Sequence, residues 1–304
     1  MKNASRRSTA AGRCEALLLR PADPGEVQGV FATSLGNAGV YVTDGETGFL
    51  IDPFVSRYCM TRIAVGWPMA PRLDLVSTWY DKVVTHGCQA VLVGHSHYDH
   101  AMDAPYFASR AGCQLFGSES TANIGRGAGL SEAAIKVIGN GDVIELGRFR
   151  IRFVQGEHGP ALFGRIPYPG VIARPLIPPA GARRYRMGGF FGIVVQHPTG
   201  TFIHHSSAGW VDGMYEGVQA DVFMPCLAGR ADTDNYMRRV VDPTGATTVI
   251  PIHFDDMFTP LDGPFGFVPG VDFVEFLDTV AATRPHVRVA TMPIGGCVRV
   301  LPES

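Results

Sequence analysis

The chain lacks any long hydrophobic run. Nothing approaches the ~20 consecutive apolar residues that cross a bilayer, and Ala16-Leu17-Leu18-Leu19 stops at Arg20-Pro21, too short for a secretory signal core. Neither sign of charge dominates: 26 basic against 28 acidic residues leave a net charge of −2, so no global pull toward nucleic acid or an anionic membrane is expected. The six cysteines (Cys14, Cys59, Cys88, Cys113, Cys226, Cys297) form no CxxC pair and no dense framework. They read as reduced packing residues in a reducing compartment. Repeats and low-complexity tracts are missing, as are a G-x-S-x-G elbow and a nucleophilic cysteine motif, so covalent catalysis is not indicated. The expectation is a cytoplasmic globular protein with no transmembrane segment; its oligomeric state leaves no signal.

At 304 residues, with 46% hydrophobic and 18% charged side chains, the chain has the length and composition for a large buried core. Residues 1–26 are expected to form a loosely ordered lead-in to a domain spanning 27–304. Short apolar runs at 29–34, 40–43, 48–51, 90–93, 114–116, 135–138, 143–146, 149–154, 191–195, 201–204, 221–224, 248–252 and 287–290 read as strands. Helices are expected after Asp103, where Pro105 opens and Gly112 stops the segment, and over 232–241 and 271–282. Residues 52–75 read as a loop. Clustered strands with helices between them predict an α/β chain of two sheets with helices outside.

His95-Ser96-His97-Tyr98-Asp99-His100 lies where Ala90-Val91-Leu92-Val93 gives out at Gly94. Side chains on a strand repeat every two residues, so His95 and His97 point the same way. The chain then turns, and Asp99 and His100 can bring a carboxylate and a third imidazole to that side. Such donors suit zinc, or another first-row dication such as iron or manganese. His158 and His253 also end apolar segments, Ile151–Val154 and Val249–Ile252. His86, His197 and His286 adjoin Gly or Pro and read as surface residues.

The HSHYDH motif, preceded by Leu50-Ile51-Asp52-Pro53, resembles the metallo-β-lactamase-fold hydrolases. Gly156-Glu157-His158-Gly159, Ile203-His204-His205-Ser206-Ser207-Ala208-Gly209 and Pro251-Ile252-His253-Phe254 follow in the same order. The likeness is nearest to the lactonase-like and phospholipase-D-like branches. It implies an αββα sandwich of two mixed sheets in two similar halves, with helices on the outer faces and metal at one edge. It assigns His95, His97 and His158 to one metal, and Asp99, His100 and His253 to a second. Asp52 would orient a ligand histidine, or else simply close the turn before Pro53.

One departure stands out. Where that family usually supplies a metal-bridging aspartate, this chain reads Ser206-Ser207-Ala208, and no acidic residue occurs between Glu157 and Asp212. One or two Zn2+ ions are expected, the second held less tightly, with Ser207 or His205 as substitute ligands. Strand alternation allows only one of His204 and His205 to face the site.

Such a site implies hydrolysis of an ester, lactone or phosphodiester, with Asp99 orienting the nucleophilic water and passing a proton to the leaving group. The alternative is a mononuclear iron oxidoreductase or dioxygenase on the same fold. Residues 160–190 read as a lid-like insertion carrying Arg165, Arg174, Arg183, Arg184 and Arg186 without one acid. That pattern suits a small-molecule substrate with an anionic group and an apolar tail. The aromatic loop 258–267 is expected to form the opposite wall. No nucleic-acid partner is expected.

Overall fold

Alternation along the strands separates two kinds of buried face. Val40 and Val42 pack toward a layer shared by both sheets, while Tyr41 between them packs under helices. The computed structural model describes residues 2–25, 28–161 and 164–301. The first half of the chain supplies β1 (Val30–Gly36), β2 (Gly39–Thr43), β3 (Gly48–Ile51), β4 (Ala90–Leu92), β5 (Gln114–Gly117) and β6 (Ile135–Val137). The second supplies β7 (Val143–Leu146), β8 (Phe149–Gly156), β9 (Phe190–His197), β10 (Gly200–His205), β11 (Val222–Pro225), β12 (Thr248–Val249) and β13 (Arg288–Val289). A final strand, β14 (Cys297–Leu301), returns to β1.

The two seven-stranded sheets run β14-β1-β2-β3-β4-β5-β6 and β7-β8-β9-β10-β11-β12-β13. Taken in that order, both are antiparallel over their first three pairings and parallel over their last three. The expected two similar halves are present, and β14 occupies in the first sheet the place that β7 holds in the second. Between the sheets lies an apolar layer in which Phe49 and Ile51 face Phe149, Ile151 and Phe153. Helices Leu73–Val83, Ala104–Ala111 and Glu119–Gly127 cover one outer face. Helix Phe273–Thr283, the helical stretch 233–241 and the amino-terminal helix cover the other. This is the αββα sandwich.

Two expectations need correction here. Residues 1–26 are not simply a loose lead-in: Lys2–Ala16 is a helix, with Ala10 and Cys14 buried. Arg13 pairs with Asp278 at 2.5 Å, and Leu19 N–H donates to Thr291 O at 2.9 Å. The side chains it is described as burying, Ala10 and Cys14, are small and give no strong apolar periodicity. The stretch 52–75 is likewise not all loop, since it holds a helical turn, Met60–Ala64, and the start of Leu73–Val83.

The inter-sheet layer should dominate stability. Phe149 is fully buried and meets Phe49 edge to face at 5.2 Å, tying β8 to β3. Phe149→Ala should lower unfolding free energy by about 3–5 kcal/mol, read from the urea midpoint. A loss below ~1 kcal/mol would mean that the layer collapses onto the vacancy.

Candidate metal centre

The carboxyl ends of β3, β4, β8, β10 and β12 lead into one cleft at the sheet edge. From β3 comes Asp52; from β4, Gly94 and the His95–His100 run; from β8, His158; from β10, Ser206 and Ser207; and beyond β12, His253. Gly94 is required by close approach. A Cβ there would stand 2.6 Å from Ser206 Oγ and 3.1 Å from Phe191 O, well inside contact distance. After it the chain turns at His97 into the helical turn Tyr98–Ala101, which brings Asp99 and His100 inward.

Two triads of donors form: His95, His97 and His158, then Asp99, His100 and His253. Within each, the candidate ligand atoms all lie within 4.8 Å of one another, and the His95 and His100 rings are 3.9 Å apart. Asp52, His95 and His100 make a third such group.

The partners of each ring decide which nitrogen is free. A carbonyl only accepts, so His97 Nε2–H donates to Pro167 O (2.8 Å) and leaves Nδ1 its lone pair. By the same logic His158 Nδ1–H donates to Gly159 O (2.7 Å) and leaves Nε2 bare. His100 Nδ1–H donates to Asp52 Oδ2 (2.9 Å), and its Nε2 lies 3.4 Å from Asp99 Oδ2. His253 Nε2 is 3.1 Å from the same Asp99 oxygen. Asp52 also accepts from Gly94 N–H at 2.7 Å. Its two oxygens thus hold the His100 ring on one side and the Gly94 backbone on the other.

Burial keeps the first triad uncharged: it lowers His95 well below the usual imidazole range, His97 to about 4 and His158 to about 3. Burial opposes charge at His100 and Asp99 too, but there the opposite charges win. The Asp99 and Asp52 carboxylates push His100 up to about 9, and His100 and His253 hold the Asp99 carboxyl well below its ordinary value.

Both ring nitrogens of His95, and Nδ1 of His253, are buried without a hydrogen-bond partner. Buried polar atoms are normally satisfied, and a neutral imidazole with a bare lone pair beside two others is what a borderline dication binds. The donor set therefore fits a metal cofactor.

Other sequence expectations divide. His205 is turned away: its Nδ1 lies 2.7 Å from the Tyr215 hydroxyl, and Nε2–H donates to Gly209 O at 2.9 Å. Ser207 lines the cleft, its hydroxyl accepting from Gly159 N–H at 2.9 Å, while Ser206 Oγ is buried and unpartnered. Ala208 belongs to the apolar layer behind. His197, expected at the surface, is buried beside Asp44 and Phe149, because its strand extends past the apolar run into the sandwich. Of the five arginines over 160–190, all are exposed and Arg183 is the one that lines the cleft. Leu176 N–H donates to Asn123 O and Ile172 N–H to Ser120 Oγ, each at 2.9 Å.

A brace that sequence did not reveal supports the second triad. Asn37 donates from Nδ2 to Asp99 O (2.7 Å), and its carbonyl accepts from His253 N–H (2.7 Å). Its own N–H donates to Asp255 (2.6 Å), which pairs with buried Arg57 at 2.7 Å. Asn37, Asp52 and His253 all hold φ near +50° (54°, 45° and 55°), strained for non-glycine residues and kept by these bonds. Only the Gly36-Asn37 pair, a turn signal, hinted at this.

Above the donors lies a cavity of about 720 Å³. Met60, Ile63, Met257, Phe258 and Val268 form apolar walls, and Pro167, Tyr168 and Arg183 a third side. Phe258 thus supplies the expected wall, whereas Phe265 and Phe267 pack with Phe254.

No protein-family model and no curated protein sequence matches the chain. Solved structures do. Igni18, a novel metallo hydrolase from the archaeon Ignicoccus hospitalis, aligns with a TM-score of 0.55 and 16% identity over 88% of this chain and 97% of its own. The metallo-β-lactamase fold protein YhfI from Bacillus subtilis gives 0.53 and 14% over 88% and 98%. CmlA, a diiron β-hydroxylase from Streptomyces venezuelae, gives 0.52 and 13% over 92% of this chain and 55% of its own. At such identities the likeness is one of architecture, and on that ground the chain has the metallo-β-lactamase fold.

Proposed function

We propose that the protein is a metal-dependent hydrolase that turns a water molecule against an ester, lactone or phosphodiester. The observation that carries this reading is the pair of donor triads on the floor of one apolar-walled cavity. His95 and His158 through an imidazole nitrogen, and His97 through Nδ1, would hold one metal; Asp99, His100 and His253 would hold a second. Bound there, zinc supplies a water of pKa near ~7 and an electrophile that polarises a carbonyl or phosphoryl oxygen. Iron, the ion of the alternative oxidoreductase reading, would use the same donors.

The chain's own groups then divide the work. Asp99, ionised and fixed through its backbone carbonyl by Asn37, is placed to accept a proton from the attacking water and return it to the leaving group. Asp52 keeps His100 in one tautomer. Met60, Ile63, Phe258 and Val268 exclude water and receive an apolar substituent. Arg183 is the one lining guanidinium among the described residues and would meet an anionic or strongly dipolar group at the mouth.

A panel of p-nitrophenyl esters, lactones and bis-p-nitrophenyl phosphate, assayed before and after chelation, tests the reading. Chelator-sensitive hydrolysis of at least one class is expected; turnover indifferent to metal removal contradicts it.

Asp99→Asn should cut turnover by ~10²- to 10⁴-fold with an unchanged circular dichroism spectrum. Near-normal turnover would remove Asp99 from the chemistry.

The missing bridging carboxylate should leave the second metal weaker than the first, since each dication needs anionic ligands against its own charge. Ser207 is the position to restore it, being on the cleft beside His158; Ser206 is crowded by Gly94, and Ala208 lies behind. In competition titrations Ser207→Asp should tighten the weaker site selectively. Two equally tight sites in the natural protein would show that the existing donors already suffice.

A further inference from the structure

The wall of the cavity continues outward into a surface that the net charge does not foretell. Residues 53–73 and 158–211 contain no aspartate or glutamate. These two segments pack together: Met69 and Ala180 exchange backbone hydrogen bonds of 2.9 Å in both directions, and a Cβ on Gly181 would stand 2.8 Å from Gly66 O. Beside this seam Val65, Trp67 and Ile177 are 58%, 63% and 71% exposed. Arg184 is exposed with them and Arg62 is half-buried; Arg62 lies over the Tyr58 ring and donates to Pro68 O at 2.6 Å, so it is held in place.

Exposed large apolar side chains are ordinary when scattered and informative when grouped. Here a tryptophan, two aliphatic residues and two guanidinium groups flank one seam between segments that hold no carboxylate. We propose that this face docks on a membrane surface bearing anionic headgroups, with Trp67, Val65 and Ile177 entering the headgroup boundary and Arg62 and Arg184 meeting lipid phosphate or carboxylate. The contact is local, which is why a global charge of −2 does not oppose it: exposed charges farther than ~10 Å are largely screened. A lipid surface is favoured over an acidic protein by the cavity. Helix Met60–Ala64, whose Met60 and Ile63 form its apolar wall, leads directly into Val65 and Trp67. An apolar chain lifted from the bilayer beside Trp67 would meet this helix and the cavity wall that Met60 and Ile63 form. No helix among the described residues is long and apolar enough to cross a membrane; the attachment proposed lies on the surface.

Co-sedimentation of the full chain with vesicles of phosphatidylcholine, alone or mixed with phosphatidylserine, tests this without reference to the reaction. Asp99→Asn should bind as the natural protein does, so failure of the hydrolase reading leaves the test intact. Binding is expected to the mixed vesicles, weakening with salt and falling by about tenfold or more in Trp67→Ser and in Arg184→Glu. Both side chains are exposed, and unchanged thermal melting will verify that each variant folds. Absent binding, equal binding to both vesicle types, or variants that bind as well as the natural protein would overturn the proposal. So would a dimer, or a complex with polyglutamate, that these substitutions abolish while vesicle binding is missing; the face would then belong to a second copy or an acidic protein.

Discussion

Five imidazoles and two carboxylates are withdrawn from water at one edge of the sandwich, and the rest of the site serves the partners they then need. Burial makes charge expensive and leaves each lone pair to be satisfied from inside. The chain answers with groups that only accept: Pro167 O behind His97, Gly159 O behind His158 and Asp52 behind His100. Each fixes a proton on the outer nitrogen, and in His97 and His158 the inner one is left bare. His95 has no such partner on either nitrogen. Asp99 stays ionised because two histidines face one of its oxygens, and Asn37 holds it in register with His253 through bonds from its side chain and its carbonyl.

This arrangement follows from the topology. In both sheets the parallel strands end at the same edge, so side chains just beyond those ends converge without long connections. The short strands β3, β4 and β12 each hand over to a donor within a few residues. The left-handed backbone of Asp52 and His253 is the local cost of turning those donors inward. The same edge carries a departure from the resemblance: serines stand where a shared carboxylate would serve two metals, so negative charge comes only from Asp99 and, one step back, Asp52.

How much of this could be read in advance depended on whether the information was local. His95 to His100 was legible because strand periodicity and donor type coincide within six residues. His158 and His253 gained meaning only from their order along the chain. Asn37, Arg57 and Asp255 carry no local signal, since they act through contacts spanning 218 positions in one case and 198 in another. The arginines of 160–190 announced a composition but not a direction: all five are exposed, and Arg183 is the one at the cleft. Helix Glu119–Gly127 was missed for a related reason. Its sequence, ESTANIGRG, is poor in strong helix formers, and it is held by burial of Ala122, Ile124 and Gly125.

The central claim is that this cluster is a metal centre built on His95. Elemental analysis of protein purified without added metal, beside the His95→Ala variant, tests it most directly. At least one equivalent of a first-row dication is predicted in the natural protein, and its loss from the variant at unchanged secondary structure. Equal metal content in the two proteins, or a natural protein that takes up no dication on titration, would contradict it.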